Sequence, residues 1–198
     1  MKKTILLLAF MCFNLLFSQE DPLQEVYFPV KYVLKNSKDT IKTKVLNIGF
    51  YSNDEFSPAT YIKQITVLDT SGKKAKISEN DIRYMEITDL KKVKRKFINA
   101  ASVFPKDMGL LQVMYSGRKT VWYRKSVYSG PIYTYKTDDT DYLIFRKDKS
   151  VTEIHFNIPG VKSQLLERFN NYPDISALID NMVEYTDLLK ILKLYDQK

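Results

Sequence analysis

The sequence predicts an α+β protein: an antiparallel β-rich sandwich or small barrel, followed by two or three C-terminal helices packed on the sheet. Three observations predict it. From Val26 to about Ile158 apolar and polar residues alternate with a period of two, the repeat of a strand with one face buried. Clusters of Asn, Asp, Ser, Gly and Lys break that alternation at hairpin spacing. After Pro159-Gly160 the period becomes helical.

The first hairpin runs from Tyr32-Val33-Leu34-Lys35 through Asn36-Ser37-Lys38-Asp39 into Thr40–Val45, a strand that alternates apolar residues with Lys. Ile62–Asp69 and Lys73–Ile77 flank Thr70-Ser71-Gly72, a second hairpin. Leu110–Tyr115 and Lys119–Tyr128 flank Ser116-Gly117. Tyr142–Arg146 and Val151–Ile158 flank Lys147-Asp148-Lys149-Ser150. With Ser116-Gly117 as a two-residue loop, Leu111 pairs with Trp122 and Val113 with Thr120 on one face, and Leu110 pairs with Tyr123 on the other. Both faces are then apolar, which places this hairpin centrally. The 14 Tyr and 11 Phe suit a pleated surface.

Beyond Gly160, Val161, Leu165, Leu166 and Phe169 recur at helical spacing. Ile175, Leu178, Ile179, Met182 and Val183 form a stripe at i, i+3, i+4, i+7 and i+8, with Pro173 suited to the first turn. Leu188, Ile191, Leu192 and Tyr195 repeat the pattern, with Thr186 as the expected N-cap. These stripes need an apolar partner, and the sheet supplies it.

Residues 1–18 read as a signal peptide. Lys2 and Lys3 form a positive start, and Ile5–Phe17 is an apolar run of 13 residues broken only by Asn14. A membrane-spanning helix takes about 20 residues, so the run is too short to span. Cleavage after Ser18 leaves residues 19–198 as a single β-rich domain, helical over about 161–197, with no transmembrane span. Cys12, the only Cys, falls in the leader behind Met11, where a lipoprotein signal would need a small residue. The mature chain therefore has no disulfide, no thiolate nucleophile and no Cys-based metal site. A chain of about 180 residues buries roughly 70% of its unfolded surface, enough for a core to hold it unaided.

The formal net charge is +8, unevenly spread. Residues 73–96 hold nine basic side chains against four acidic, and residues 163–198 hold four against six. The densest stretch is Lys91, Lys92, Lys94, Arg95 and Lys96, five cations in six residues. It either docks on an anionic lipid or glycan, or faces water as an edge-protecting strand. Tyr115, Trp122, Tyr123 and Tyr128 lie in a stretch with six Tyr and the only Trp in 28 residues. They are either a sugar-stacking platform or sheet core. An exported protein meets anionic glycans, lipid headgroups or acidic proteins rather than nucleic acid.

Catalytic signals are sparse. His155, the only His, shares a strand face with Glu153, a pair that could orient a general base or simply sit on a sheet surface. One His and no Cys exclude a multi-His zinc site within one chain. Ser-x-x-Lys occurs at Ser71–Lys74 and Ser116–Lys119, both in expected hairpin turns, as often as chance supplies in so Lys-rich a chain. Asp138-Asp139-Thr140-Asp141 and Asn53-Asp54-Glu55 read as solvated acidic turns; the first lacks the Gly and closing Glu of a calcium loop. No phosphate-binding, dinucleotide or nucleophile-elbow motif occurs, and no cofactor is implied.

Asn36-Ser37-Lys38-Asp39-Thr40-Ile41-Lys42-Thr43 resembles the early N-x-G-D-T-I-x-G hairpin of a family of uncharacterised exported proteins of Bacteroidota, with Lys38 and Thr43 in place of its glycines. The leader's end, Phe17-Ser18-Gln19, and the element from Tyr172-Pro173-Asp174 onward are similar to the same family. The resemblance implies export from a two-membrane cell and no particular activity. The expectation is a non-catalytic envelope module, periplasmic, outer-membrane-associated or extracellular, that binds a protein, a glycan or an anionic surface. The alternatives are a small-ligand carrier with a barrel cavity and a hydrolase built on carboxylates.

Overall fold

The computed structural model describes residues 25–49, 55–156 and 160–198. The leader, Asn53-Asp54 and Ile158-Pro159 lie outside them. Ten strands form one antiparallel sheet: β1 (Tyr27–Leu34), β2 (Ile41–Leu46), β3 (Gln64–Leu68), β4 (Lys74–Ser78), β5 (Ile82–Thr88), β6 (Lys94–Asn99), β7 (Leu110–Ser116), β8 (Thr120–Tyr128), β9 (Thr137–Phe145) and β10 (Ser150–Ile154). Their order is β10-β9-β8-β7-β6-β5-β1-β2-β3-β4, an open sheet with β10 and β4 at its edges. Helices α1 (Val161–Phe169), α2 (Pro173–Asp180) and α3 (Tyr185–Gln197) follow. The α+β class stands as read. Among the described residues no helix is long and apolar enough to cross a membrane.

Cross-strand pairing defines an inner and an outer face. The inner face carries two cores. The first gathers Phe28, Val30, Val45, Ile65, Val67, Met85, Ile87 and Phe97 around Tyr61, which is fully buried on a single 3-10 turn before β3. The second places Trp122, Leu143, Phe145 and Ile154 beneath Leu165, Phe169, Ile175, Ile179, Leu188, Ile191 and Leu192 of the three helices. The helices thus cover β7–β10, as their apolar stripes require.

The sheet bends round the first core. Six strand spacings separate β8 from β3, about 29 Å if flat, yet Tyr61 donates to Ser126 Oγ of β8 at 2.8 Å. Glu79, just after β4, reaches the same region. Its Oε1 accepts the Lys63 N–H at 3.0 Å, and its Oε2 accepts the Leu110 N–H at 2.9 Å and the Lys125 ammonium at 2.8 Å. Gly109 makes this possible: its φ is +77°, and a Cβ there would lie 2.3 Å from Glu79 Oε2.

Within the sheet and helices the structure departs from the sequence reading at the β7–β8 turn, the end of α2, the start of α3 and the acidic stretch of β9. The β7–β8 hairpin pairs Tyr115 with Trp122, Ser116 with Val121 and Val113 with Tyr123, with an irregularity between Val113 and Tyr115. Its turn is Arg118-Lys119, closed by the Gly117 N–H on the Thr120 carbonyl, so the loop is shifted from Ser116-Gly117 and the expected register does not form. The hairpin is nevertheless internal. Helix α2 ends at Asp180, one turn early, so Leu178 is 41% and Val183 86% exposed; the buried residues of that stripe are Ile175, Ile179 and Met182. The N-cap of α3 is Glu184, in a reciprocal capping box with Asp187, and Thr186 lies inside the helix. Finally, Asp138-Asp139-Thr140-Asp141 is not a solvated turn but part of β9, and Asp141 is 1% exposed.

Candidate functional site

The basic run begins in the β5–β6 turn and enters β6, an internal strand between β5 and β7. It therefore protects no edge; among the described strands, β4 with Lys74 and Lys76 holds that position. Alternation splits the run. Arg95 pairs with Ile87 and points inward, while Lys94 and Lys96 pair with Thr88 and Glu86 on the outer face.

Register extends that outer face. Lys42 lies opposite Lys31, Lys31 opposite Glu86, and Glu86 opposite Lys96, one row across β2, β1, β5 and β6. Lys44, opposite Pro29, and Lys94, opposite Thr88, belong to the next row towards the β5–β6 turn. On these four strands five outer-face lysines stand against one carboxylate, a net of +4. Glu86 sits between Lys31 at 3.0 Å and Lys94 at 4.0 Å, and accepts the Tyr84 hydroxyl at 3.1 Å. Burial pushes its carboxyl pKa up, but Lys31 and Tyr84 outweigh burial and hold it below the ordinary value. It stays ionised and keeps the cations together without cancelling them.

The turn itself is built on Asp89, 3% exposed. Its Oδ1 accepts the Val93 N–H at 2.8 Å and its Oδ2 the Arg95 guanidinium at 2.5 Å. Burial pushes the Asp89 carboxyl up, yet Arg95 and the Val93 N–H hold it below the usual range. Lys92 occupies the left-handed region, φ +64°, and its N–H closes on the Asp89 carbonyl at 3.0 Å. This frame displays Leu90, Lys91, Lys92 and Val93 outward; Lys91 meets Glu55 at 2.8 Å.

On the inner side a groove of about 340 Å³ runs between the two cores, lined among others by Phe56, Arg95, Gln112, Arg124, Asp139 and Tyr185. Arg95 lies 4.8 Å over the Phe56 ring. Arg124 is held by Asp141 through two bonds of 2.9 and 3.0 Å, with Asp139 at 3.3 Å, and lies 5.2 Å over the Tyr185 ring. The Trp122 indole donates to the same Asp141 at 2.7 Å.

The aromatic candidates do not converge on one surface. Tyr115 and Trp122 are inner-face neighbours beneath the helices, Trp122 1% exposed. Tyr123 lies on the outer face between Val113 and Tyr142. Tyr128, at the far end of β8, has its ring 5.9 Å from the Lys63 ammonium. His155 and Glu153 form an exposed pair at 2.7 Å. Among the described residues no group of three or more His, Cys, Asp or Glu could hold a metal ion. In comparisons with known proteins, no family model, curated protein or solved structure matches the chain.

Sequence reading found Lys94 and Lys96 but not their partners Lys31, Lys42 and Lys44, which other strands contribute. The one signal for two of them was the Lys alternation of Thr40–Val45. It missed the Trp122–Asp141–Arg124 cluster because the acidic stretch looked like a turn.

Proposed function

We propose that the protein is a non-catalytic module, exported to the cell envelope, that docks on an anionic partner through the outer face of β2, β1, β5 and β6. The observation that carries this reading is the row of Lys42, Lys31 and Lys96 around Glu86, continued by Lys44 and Lys94. Like charges placed directly opposite one another destabilise a sheet, and Lys31 opposite Lys42 is such a pair. An anionic partner relieves that repulsion on binding. Lys2 and Lys3 followed by the apolar run within residues 1–18 support export. The carboxylates that could have served a hydrolase are engaged: Asp139 and Asp141 with Arg124, and Glu79 with Lys125.

The test is binding of the protein to a sulfated polysaccharide matrix and to phosphatidylglycerol vesicles at rising salt. Charge-driven binding to at least one of them weakens as the Debye length falls from about 10 Å at 0.1 M to about 3 Å at 1 M. Replacing Lys42, Lys44 and Lys96, which carry no ion pair to Glu86, with Gln weakens it steeply while leaving the unfolding midpoint nearly unchanged. Salt-insensitive binding, or none to either probe, overturns the reading.

A second reading, a carrier of a small ligand, is favoured by the groove beside Arg95 and Gln112, whose volume lies at the lower end for small-molecule sites. A thermal-shift screen of small carboxylates tests it, with the stabilisation expected to vanish in Gln112→Ala.

A further inference from the structure

The exposed apolar residues of the basic turn fit one class of anionic partner better than the others. Leu90 is 47% and Val93 46% exposed, and they bracket Lys91 and Lys92 at the tip of the β5–β6 hairpin. Tyr185, 49% exposed, borders the same groove as Val93 and Lys94, so an aromatic ring flanks the turn. Register carries the outer lysine rows onto this end of the sheet: Lys94 directly follows Val93 in the chain, and Lys44 occupies the equivalent position on β2, opposite Pro29.

We infer that this end of the molecule docks on an anionic lipid bilayer, with Leu90 and Val93 entering the headgroup–acyl boundary and the surrounding lysines meeting lipid phosphates. The inference rests on the anionic-partner reading and names its partner. A sulfated or carboxylated glycan pairs with lysines, but it offers Leu and Val no apolar medium and stacks on aromatic faces instead. A bilayer interface supplies both: each lysine near an anionic surface strengthens binding about fivefold, and aliphatic and Tyr side chains settle at the boundary. The turn needs no rearrangement to do this. Asp89 fixes it from below through Val93 and Arg95, so little conformational freedom is lost on docking.

The experiment uses the protein in the form its own cell accumulates, with vesicles of phosphatidylcholine plus phosphatidylglycerol and of phosphatidylcholine alone. In Val93→Trp, a tryptophan placed at the tip shifts its emission to the blue on the anionic vesicles. Trp122, buried in the unaltered protein, does not shift. Leu90→Ser with Val93→Ser lowers partitioning to the same vesicles about tenfold, the loss expected when two partly exposed aliphatic side chains no longer leave water. Its binding to sulfated polysaccharide is unchanged, and its circular dichroism and melting match the parent. Three outcomes overturn the inference: no blue shift in Val93→Trp; equal vesicle binding by the serine variant; or binding that is lost with the lysines yet confined to the polysaccharide or to acidic protein. In the last case the anionic-partner reading survives. Loss of all salt-sensitive binding by the unaltered protein removes both.

Discussion

The Tyr115 hydroxyl of β7 donates to Asp196 Oδ2 of α3 at 2.7 Å, tying the last helix to the sheet. The same carboxylate accepts the Lys119 N–H at 2.9 Å, so it caps the β7–β8 turn from above. Burial and the Asp196 carboxylate push the Tyr115 phenol up to about 12. It is therefore a protonated donor at neutral pH. Tyr115→Phe is expected to cost about 1 kcal/mol and Asp196→Ala about 1–3 kcal/mol, because the latter leaves several donors unpaired. Urea titration measures both; equal costs would mean that Asp196 holds the helix through Tyr115 alone.

Asp196 also sets an acid limb. Burial raises its pKa, but Tyr115 and the N–H groups of Lys119, Arg118 and Thr120 outweigh burial and hold it below the ordinary value. A carboxyl lowered by folding contributes stability above its unfolded pKa, about 3.9, and loses it as pH falls. Glu86 and Asp89 are lowered too and act with the same sign. Stability should therefore fall on acidification, and Asp196→Asn should flatten that fall. Parallel pH–stability curves for the two proteins would count against the assignment.

Gly117 is the counterpart of that contact. A Cβ on Gly117 would stand 1.4 Å from Asp196 Oδ2 and 2.6 Å from the Tyr115 hydroxyl. Gly117→Ala therefore expels the carboxylate and should cost about as much as Asp196→Ala. The double variant should cost little more than either single one, since both lose the same contacts. Additive costs in a double-mutant cycle would show that the two act separately.

The buried cluster on β8 and β9 gives a large expected effect. Asp141→Ala takes two bonds from the Arg124 guanidinium, leaving it Asp139, and strips the Trp122 indole of its acceptor, an expected loss of about 3 kcal/mol. Replacing both charged residues with apolar ones, Arg124→Met with Asp141→Leu, should recover most of it. Trp122 emission should shift in Asp141→Ala, and an unchanged spectrum would sink the indole contact.

On the second helix two neighbours should behave differently. Ile179 is fully buried and Leu178 is 41% exposed. Ile179→Ala should cost about 2–5 kcal/mol, and Leu178→Ala less than about 1 kcal/mol. Comparable losses in denaturant titration would place the helix in a different rotation.

The hairpins were legible because period-two alternation and turn residues act locally. So were the three helices, whose stripes need only their own spacing. β5 and β6 were harder: Ile82–Thr88 alternates poorly around Arg83, and Lys94–Lys96 hides its inward residue as a charge, Arg95, stacked on Phe56. The β7–β8 turn falls on Arg118-Lys119, where Asp196, some 80 residues away in the chain, accepts the Lys119 N–H, rather than on the local Ser-Gly signal. The lysine face was half legible, since a single strand shows its own alternation but not which strands stand beside it. Asp141 was unreadable because Arg124, which pairs with its charge, and Trp122, which donates to it, belong to the neighbouring strand.

Glu79 has a consequence for how the molecule opens. Its carboxylate joins the Lys63 amide, just before β3, to the Leu110 amide of β7, and Lys125 of β8 secures it. The β3–β4 hairpin cannot peel from its edge while the central strands stay intact. The two amides share one latch. In native-state hydrogen–deuterium exchange they should report a single opening event, with equal protection and equal denaturant dependence, rather than the graded fraying expected inward from an edge.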